Sequence, residues 1–329
     1  MKKLLLASVI MVASATALAQ ATISGSLSVG VMDTGLSATT KPAVTSLGAG
    51  ANVINFNTTE TLSKGLTAGF NGQIRFNAAS GDVASSGVGN ALMHDAHVYL
   101  SSGMGTVRLG KIAEASNCAF DPWGCTGGAG LIGGAAGTVS GLIAAGTQAS
   151  SVSYTTPVIG GFSVGYQTTL TTGKTATDAE RRVWNANFVH GPVALQVLRS
   201  ENGANTAADN VATVTAPTGL SAKGGSGTGY AASYDLGVAK VSAFNSVTKS
   251  ATATTADILG VGVSVPMNKE VTLLGGWSKN KSLAGDLDNK LALGVNYALS
   301  KRTSLGADVF KQDAVGGNTG WVTRVRHTF

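Results

Sequence analysis

Leu66-Thr-Ala-Gly-Phe-Asn-Gly-Gln-Ile-Arg-Phe-Asn77 is the stretch on which the fold turns. Leu66, Ala68, Phe70, Ile74 and Phe76 fall on one face, and Thr67, Asn71, Gln73, Arg75 and Asn77 on the other. A period of two over this length is the signature of a β-strand with two different surroundings. The pattern recurs across the chain. In residues 22–32, Ile23, Leu27, Val29 and Val31 oppose Thr22, Ser24, Ser26 and Ser28. Trp184, Ala186 and Phe188 oppose Val183, Asn185 and Asn187, and Leu291, Leu293, Val295 and Tyr297 oppose Lys290, Ala292, Gly294 and Asn296. The segments are about ten residues long, which is what a tilted strand needs to cross a bilayer.

The connections alternate in length. Short ones fall at 62–65, 102–105, 157–160, 191–192, 236–237, 266–270 and 299–302. Long ones fall near 33–50, 78–91, 113–147, 171–181, 201–228, 247–255, 280–286 and 313–319. Seven short and eight long connections predict sixteen antiparallel strands, with tight turns at one end and long loops at the other. In hydrocarbon such a sheet must close, because an open edge leaves backbone groups unpaired.

Bulk composition agrees. Charged residues are 12% of the chain, where a water-soluble domain carries about 25%, yet mean hydropathy is a modest +0.21. Glycine is abundant at 45 residues and proline sparse at 6. A helical membrane protein would show several apolar runs of roughly 20 residues, and this chain does not. A β-sandwich would present a charged face to water, whereas these polar faces are rich in Ser, Thr, Asn and Gln, as a wet lumen requires. The formal charge is +6, or +4 once Lys2 and Lys3 are set aside, and the scattered basic residues make no stripe for nucleic acid. Lys2 and Lys3, the apolar run 4–12 and Ala17-Leu18-Ala19 read as a secretory signal over residues 1–19, leaving a single barrel domain over 20–329.

Glycine motifs arise here by accident. The run from Gly105 to Lys111 resembles a P-loop, but Ile112 stands where a hydroxyl would hold magnesium. Gly128, Gly130 and Gly133 have the spacing of a dinucleotide fingerprint without a βαβ unit. Gly161-Phe-Ser163-Val-Gly165 lacks the strand–turn–helix setting of a nucleophile elbow. His94 and His97 are separated by an odd number of positions, which on a strand puts them on opposite faces, and further ligands are not near in sequence. These readings predict no enzyme, no cofactor and no metal.

Residues 113–147 break the alternation. They carry Glu114, Cys118, Asp121, Trp123 and Cys125, followed by a Gly/Ala run. The spacing of glycines in that run disfavours a helix at roughly 1 kcal/mol each, so a compact loop inside the barrel is expected. In an exported chain Cys118 and Cys125 are expected to form a disulfide that stiffens it.

Asn296-Tyr-Ala-Leu-Ser-Lys-Arg-Thr303, the terminal run from Gly320 to Phe329, and Thr58-Thr-Glu-Thr-Leu-Ser-Lys-Gly-Leu66 resemble the general porins of Gram-negative outer membranes, specifically the betaproteobacterial branch. The resemblance covers the whole chain after residue 19. It implies an all-β, 16-stranded transmembrane β-barrel in the outer membrane, usually a homotrimer, with the third external loop folded inward. Phe329, with Val325 and Trp321 on its face, resembles the signal read by the barrel-assembly machinery. The chain departs from the family in having Val53 early in the second strand, where a basic residue is frequent, and in lacking a recognisable Pro-Glu motif in the third loop.

Alternation then places charges. If Phe329 faces lipid, Arg324 and Arg326 face the lumen; by the same parity so do Arg75, Arg108 and Lys290. Lys111 is ambiguous by parity, and His94 is a further candidate for the pore wall. Glu114 and Asp121 are the expected opposing acids. A basic wall facing an acidic loop makes a transverse field at a constriction. The expected function is passive diffusion of small hydrophilic solutes and ions with a weak anion preference. A solute-specific porin, for organic acids for example, and an outer-membrane barrel enzyme or adhesin are the alternatives.

Overall fold

The computed structural model describes residues 20–35, 41–47, 52–83, 92–124, 128–131, 146–170, 180–202, 225–249, 254–281, 289–313 and 318–329. The expected signal over 1–19 and Cys125 lie outside the described residues. Seventeen strands are hydrogen-bonded into one antiparallel sheet. They are β1 (Gln20–Asp33), β2 (Ala43–Ser46), β3 (Val53–Thr61), β4 (Thr67–Arg75), β5 (Asp95–Ser102), β6 (Gly105–Ala113), β7 (Thr147–Thr155), β8 (Phe162–Thr169) and β9 (Arg181–His190). They continue with β10 (Val193–Asn202), β11 (Ser226–Asp235), β12 (Lys240–Lys249), β13 (Thr254–Pro266), β14 (Val271–Asn280), β15 (Asn289–Ala298), β16 (Thr303–Gln312) and β17 (Asn318–Thr328). From β3 to β17 each strand pairs with the next in sequence, and β1 pairs with β17, from Ser26↔Thr328 to Asp33↔Trp321. The sheet is therefore a closed barrel. Phe329 completes the seam by exchanging both backbone hydrogen bonds with Gly25, each 3.0 Å.

Sixteen positions make up the wall, because β2 and β3 share one. The lower half of β1 pairs with β3 (Gln20↔Thr59 to Ser26↔Val53), and its upper half with β2 (Val29↔Ser46 to Met32↔Ala43). The gap falls opposite Ser28. There the Asn52 side chain stands in for a strand: its Oδ1 accepts from Ser28 N at 2.6 Å and its Nδ2 donates to Ser28 O at 3.1 Å. An amide side chain has the donor and acceptor of a peptide unit, so the ladder stays satisfied across the interruption.

Alternation sorts the two faces as read. Ile23, Val98, Leu109, Val164, Leu195, Leu293, Val309 and Val325 are exposed on the outside. Aromatic pairs stand on the same outer face: Phe162 on Phe188 with ring centroids 4.4 Å apart, and Tyr166 on Trp184 at 5.6 Å. Tyr and Trp favour the boundary between hydrocarbon and headgroups. The inner face holds one surprise. Ser, Thr, Asn and Gln do not line all of it. Ala231, Phe244, Ala256, Ile258, Leu274, Ala292 and Phe310, on consecutive strands from β11 to β16, are buried inward as one apolar cluster. What covers them is the segment that follows β6.

Candidate pore constriction

The segment leaves the wall through a bulge. Register shifts between Gly110 and Ile112, and Gly110 sits at φ +140, where a side chain is strained. Bulges bend a strand and re-aim the chain. Ile112 is buried, and Glu114 N donates to Gly146 O at 3.0 Å, which ties the two roots of the loop together. The Glu114 carboxylate turns to Arg181 at the start of β9: Arg181 Nε and Nη2 donate to its two oxygens, and Nη1 donates to Asn202 Oδ1 at 2.7 Å. All three residues are buried.

Beyond this root the loop crosses the lumen and docks on the far wall. Asn117 Nδ2 donates to Ser246 Oγ on β12 at 3.2 Å. A single 3-10 turn, Cys118–Phe120, brings Phe120 onto the apolar cluster. Asp121 is buried and its Oδ1 accepts from Trp123 N at 3.0 Å, fixing the next turn. Trp123 Nε1 donates to Asp308 Oδ1 on β16 at 3.0 Å, and Ala129 N donates to Asp308 Oδ2 at 3.1 Å. Arg324 on β17 pairs with the same carboxylate and also donates to Asn296 Oδ1. Lys290 Nζ donates to Gly130 O at 2.8 Å and lies 5.5 Å from the centroid of the Phe310 ring. The wall makes room with glycine. A Cβ at Gly262 would lie 2.5 Å from Pro122 Cγ, and one at Gly276 would collide with Leu131. Gly128, at φ +70, approaches Asp308 so closely that no side chain fits. Cys118 packs against the cluster. The chain's other cysteine is Cys125.

The expected facing of acids and bases across the pore is not what the structure brings together. Glu114 and Asp121 are consumed by the loop's own attachments. Lys290 and Arg324 do face inward, but Lys290 is 1% exposed beneath the loop and Arg324 is bound to Asp308. The cations away from the docked loop are Arg75, whose Nε donates to Gln73 Oε1 at 2.7 Å, and Arg108, whose Nη1 donates to Thr155 Oγ1 at 3.0 Å. Lys111, set by the bulge, donates to Met93 O at 2.8 Å. Arg326 is inward and half-buried beside Arg324.

His94 and His97 are both buried, contrary to the expectation of opposite faces. The parity rule fails because His94 precedes β5 and obeys no strand. Burial first, and then the cations Arg75 and Lys111, push its imidazole down to about 3, so it is neutral at physiological pH. His97 Nδ1 lies 2.7 Å from Asp95 Oδ1, and its Nε2 3.3 Å from Asn71 Nδ2. Among the described residues no group of three or more His, Cys, Asp or Glu side chains is placed to hold a metal. Arg181 and Asp308 are the residues that sequence reasoning missed. Arg181 has the parity of Val183 and Asn185, and Asp308 alternates with the outward Leu305 and Val309, so the same parity places both inward; what has no local signal is the docking of the loop on Asp308, whose loop partners are 179 and 185 positions away.

A family model described as Gram-negative porin matches residues 6–316. Among solved structures, the chain is similar to an anion-selective porin from Comamonas acidovorans, at 21% identity and a TM-score of 0.70, covering 95% of this chain and 100% of that one. It is also similar to a loop-deletion mutant of OmpT, an outer membrane protein of Vibrio cholerae, at 15% identity, TM-score 0.65 and coverage of 94% and 99%. An engineered variant of Rh. blastica porin matches at 13% identity and TM-score 0.66, over 94% and 100%. No curated protein matches it.

Proposed function

The chain belongs to the Gram-negative porin family, a passive channel of the bacterial outer membrane, and on that premise we propose that its lumen favours small anions. One observation carries the preference. Among the described acids near the pore, Glu114 is paired with Arg181 and Asp308 with Arg324, Asp121 lies beside Lys290, and Asp95 is hydrogen-bonded to His97 beside Arg75 and Lys111. Arg75, Arg108 and Lys111 hydrogen-bond neutral groups, and on this stretch of wall they outnumber the single acid Asp95, so net positive charge acts on the lumen. Low-dielectric walls focus such a field. The anion-selective Comamonas porin, of similar fold, supports the same sign.

Reversal potentials of the purified protein in planar bilayers under a salt gradient test this. Anion preference is expected. Clear cation preference overturns the charge assignment and leaves the channel standing, whereas a barrel without ion conductance favours an enzyme or adhesin. The same reading includes a homotrimer in outer-membrane lipid, Phe329 as the residue recognised by the assembly machinery, and removal of residues 1–19, so that the mature chain begins at Gln20. It also includes a Cys118–Cys125 disulfide, for which alkylation before and after reduction should show zero and then two modified thiols by mass. Two modified thiols without reductant would refute the bond.

A further inference from the structure

At the root of the loop, between Ile112, Ala113, Glu114 and Ala115 on one side and the inner faces of β5 to β9 on the other, the wall contains a niche of about 320 Å³. That is room for about ten waters at roughly 30 Å³ each, or for one short solute with its own hydration. Its floor is set by strand register. Arg108 is paired with Ser153, and Ser153 with Gln167; Thr155 is paired with Gly165, and Gly165 with Asn185. All of these face inward, opposite the outward Tyr154, Tyr166 and Trp184.

Three features make the niche a built site. The Arg108 guanidinium is turned along the row by Thr155, leaving its remaining donors available. Ser153 is 7% exposed and its Oγ is buried with no hydrogen-bond partner. An unpaired buried hydroxyl costs about 1–3 kcal/mol, which a ligand acceptor would recover. Gly165 is the third: a Cβ there would collide with the Asn185 amide, so the missing side chain is what lets that amide lie in the niche. Of the two acids on the lining, Glu114 is paired with Arg181, and Asp95 is hydrogen-bonded to His97 and lies beside two further cations, Arg75 and Lys111, so the niche keeps an excess of positive charge.

We propose that this niche is a binding site for a small oxyanion, a carboxylate or a phosphate, held by Arg108, the Ser153 hydroxyl and the Asn185 amide. It rests on the channel reading and makes part of the anion flux saturable. A fixed guanidinium with adjacent neutral donors matches an oxyanion better than a halide, because it offers donors aimed at separate oxygens.

The test is a planar-bilayer recording of the purified protein in potassium chloride, with succinate added in one arm, inorganic phosphate in a second and glucose in a third. Succinate or phosphate should reduce the chloride current with saturation, half-maximal on the order of 1–10 mM, and glucose should not. Saturation by succinate identifies a carboxylate site; saturation by phosphate alone identifies a phosphate site. Ser153→Ala should raise the half-effect concentration about tenfold, and Gly165→Ala, which displaces Asn185, should raise it too. Current that falls linearly in both oxyanion arms overturns the proposal, as does saturation unchanged in Ser153→Ala. A barrel that conducts chloride but shows no saturation leaves the channel reading intact, so the two failures are distinguishable.

Discussion

The inner wall of this barrel has two halves built on the same alternation. On β3 to β9 the inward residues include Asn55, Asn57, Asn71, Gln73, Tyr99, Arg108, Gln167, Asn185 and Asn187, which are polar and partly hydrogen-bonded to one another, as Gln73 Nε2 to Asn55 Oδ1 at 2.9 Å, with Val53 and Val183 as apolar exceptions. On β11 to β16 they are Ala231, Phe244, Ala256, Ile258, Leu274, Ala292 and Phe310, set among Gly262, Gly276 and Gly294. The first half is a surface for water. The second is half of a protein core, whose other half is the loop carrying Phe120, Trp123, Ala129 and Leu131. Alternation separates lipid from lumen, but it does not separate wet lumen from dry.

The contrast is most sharply broken at Asp308. One carboxylate, fully buried, accepts from Trp123, from the Ala129 backbone and from Arg324. Asp308→Ala would leave the Arg324 charge without its partner and two loop donors unsatisfied. Removing one member of a buried ion pair costs about 3–5 kcal/mol, enough to undock the loop. The expected result is a larger single-channel conductance and faster proteolytic nicking within residues 113–131. Asp308→Asn keeps an acceptor for Trp123 and should show a smaller change in both. Unaltered conductance and protease resistance in Asp308→Ala would mean that the carboxylate does not hold the loop.

Packing on the covered half predicts a smaller effect. Gly276→Val puts branched carbon where Leu131 already sits. Overpacking of this kind costs about 1–3 kcal/mol, so the loop should loosen without leaving. Open-channel current noise is the measurement, expected to rise above wild type. A quiet channel would show that Leu131 repacks freely and that the glycine is not what admits it.

How much of this was legible beforehand follows from range. The strands, their outward faces and the sixteen wall positions need only local period and turn spacing, and residues 66–77 already contain the rule. The split between β2 and β3 was hidden, because four residues at Ala43–Ser46 make a weak signal and a side chain, Asn52, closes the gap. Parity alone places Lys290 and Arg324 inward, but an inward charge is not always a wet one: Lys290 lies beneath the loop and Arg324 is bound to Asp308. The acidity of Glu114 and Asp121 is visible in the sequence, whereas their partners are not. Arg181 is 67 positions from Glu114, and Asn117 meets Ser246 across 129. Contacts of that range leave no local trace.

The smallest electrical effect is expected where the halves are separated by removing one positive charge from each. Arg75→Gln deletes a cation of the open half and keeps a side chain able to hydrogen-bond Gln73. In water a unit charge acting across about 4 Å is worth about 1 kcal/mol, a factor of about five, and less at longer range. The anion-to-cation permeability ratio should therefore fall two- to fivefold with conductance little changed. Lys290→Met deletes a cation of nearly the same side-chain length under the loop, where Gly130 O, the Phe310 ring and the carboxylates of Asp121 and Asp308 surround it. Its charge is already balanced there and shielded from the lumen, so the permeability ratio should stay within experimental error of wild type. Its loss leaves the buried Asp121 carboxylate without this cation and should instead lower the unfolding temperature, as removal of one member of a buried charge pair does. Equal shifts in permeability from both variants would show that the field in the pore reads the charge of the whole wall, and the division into a wet and a covered half would then have no electrical meaning.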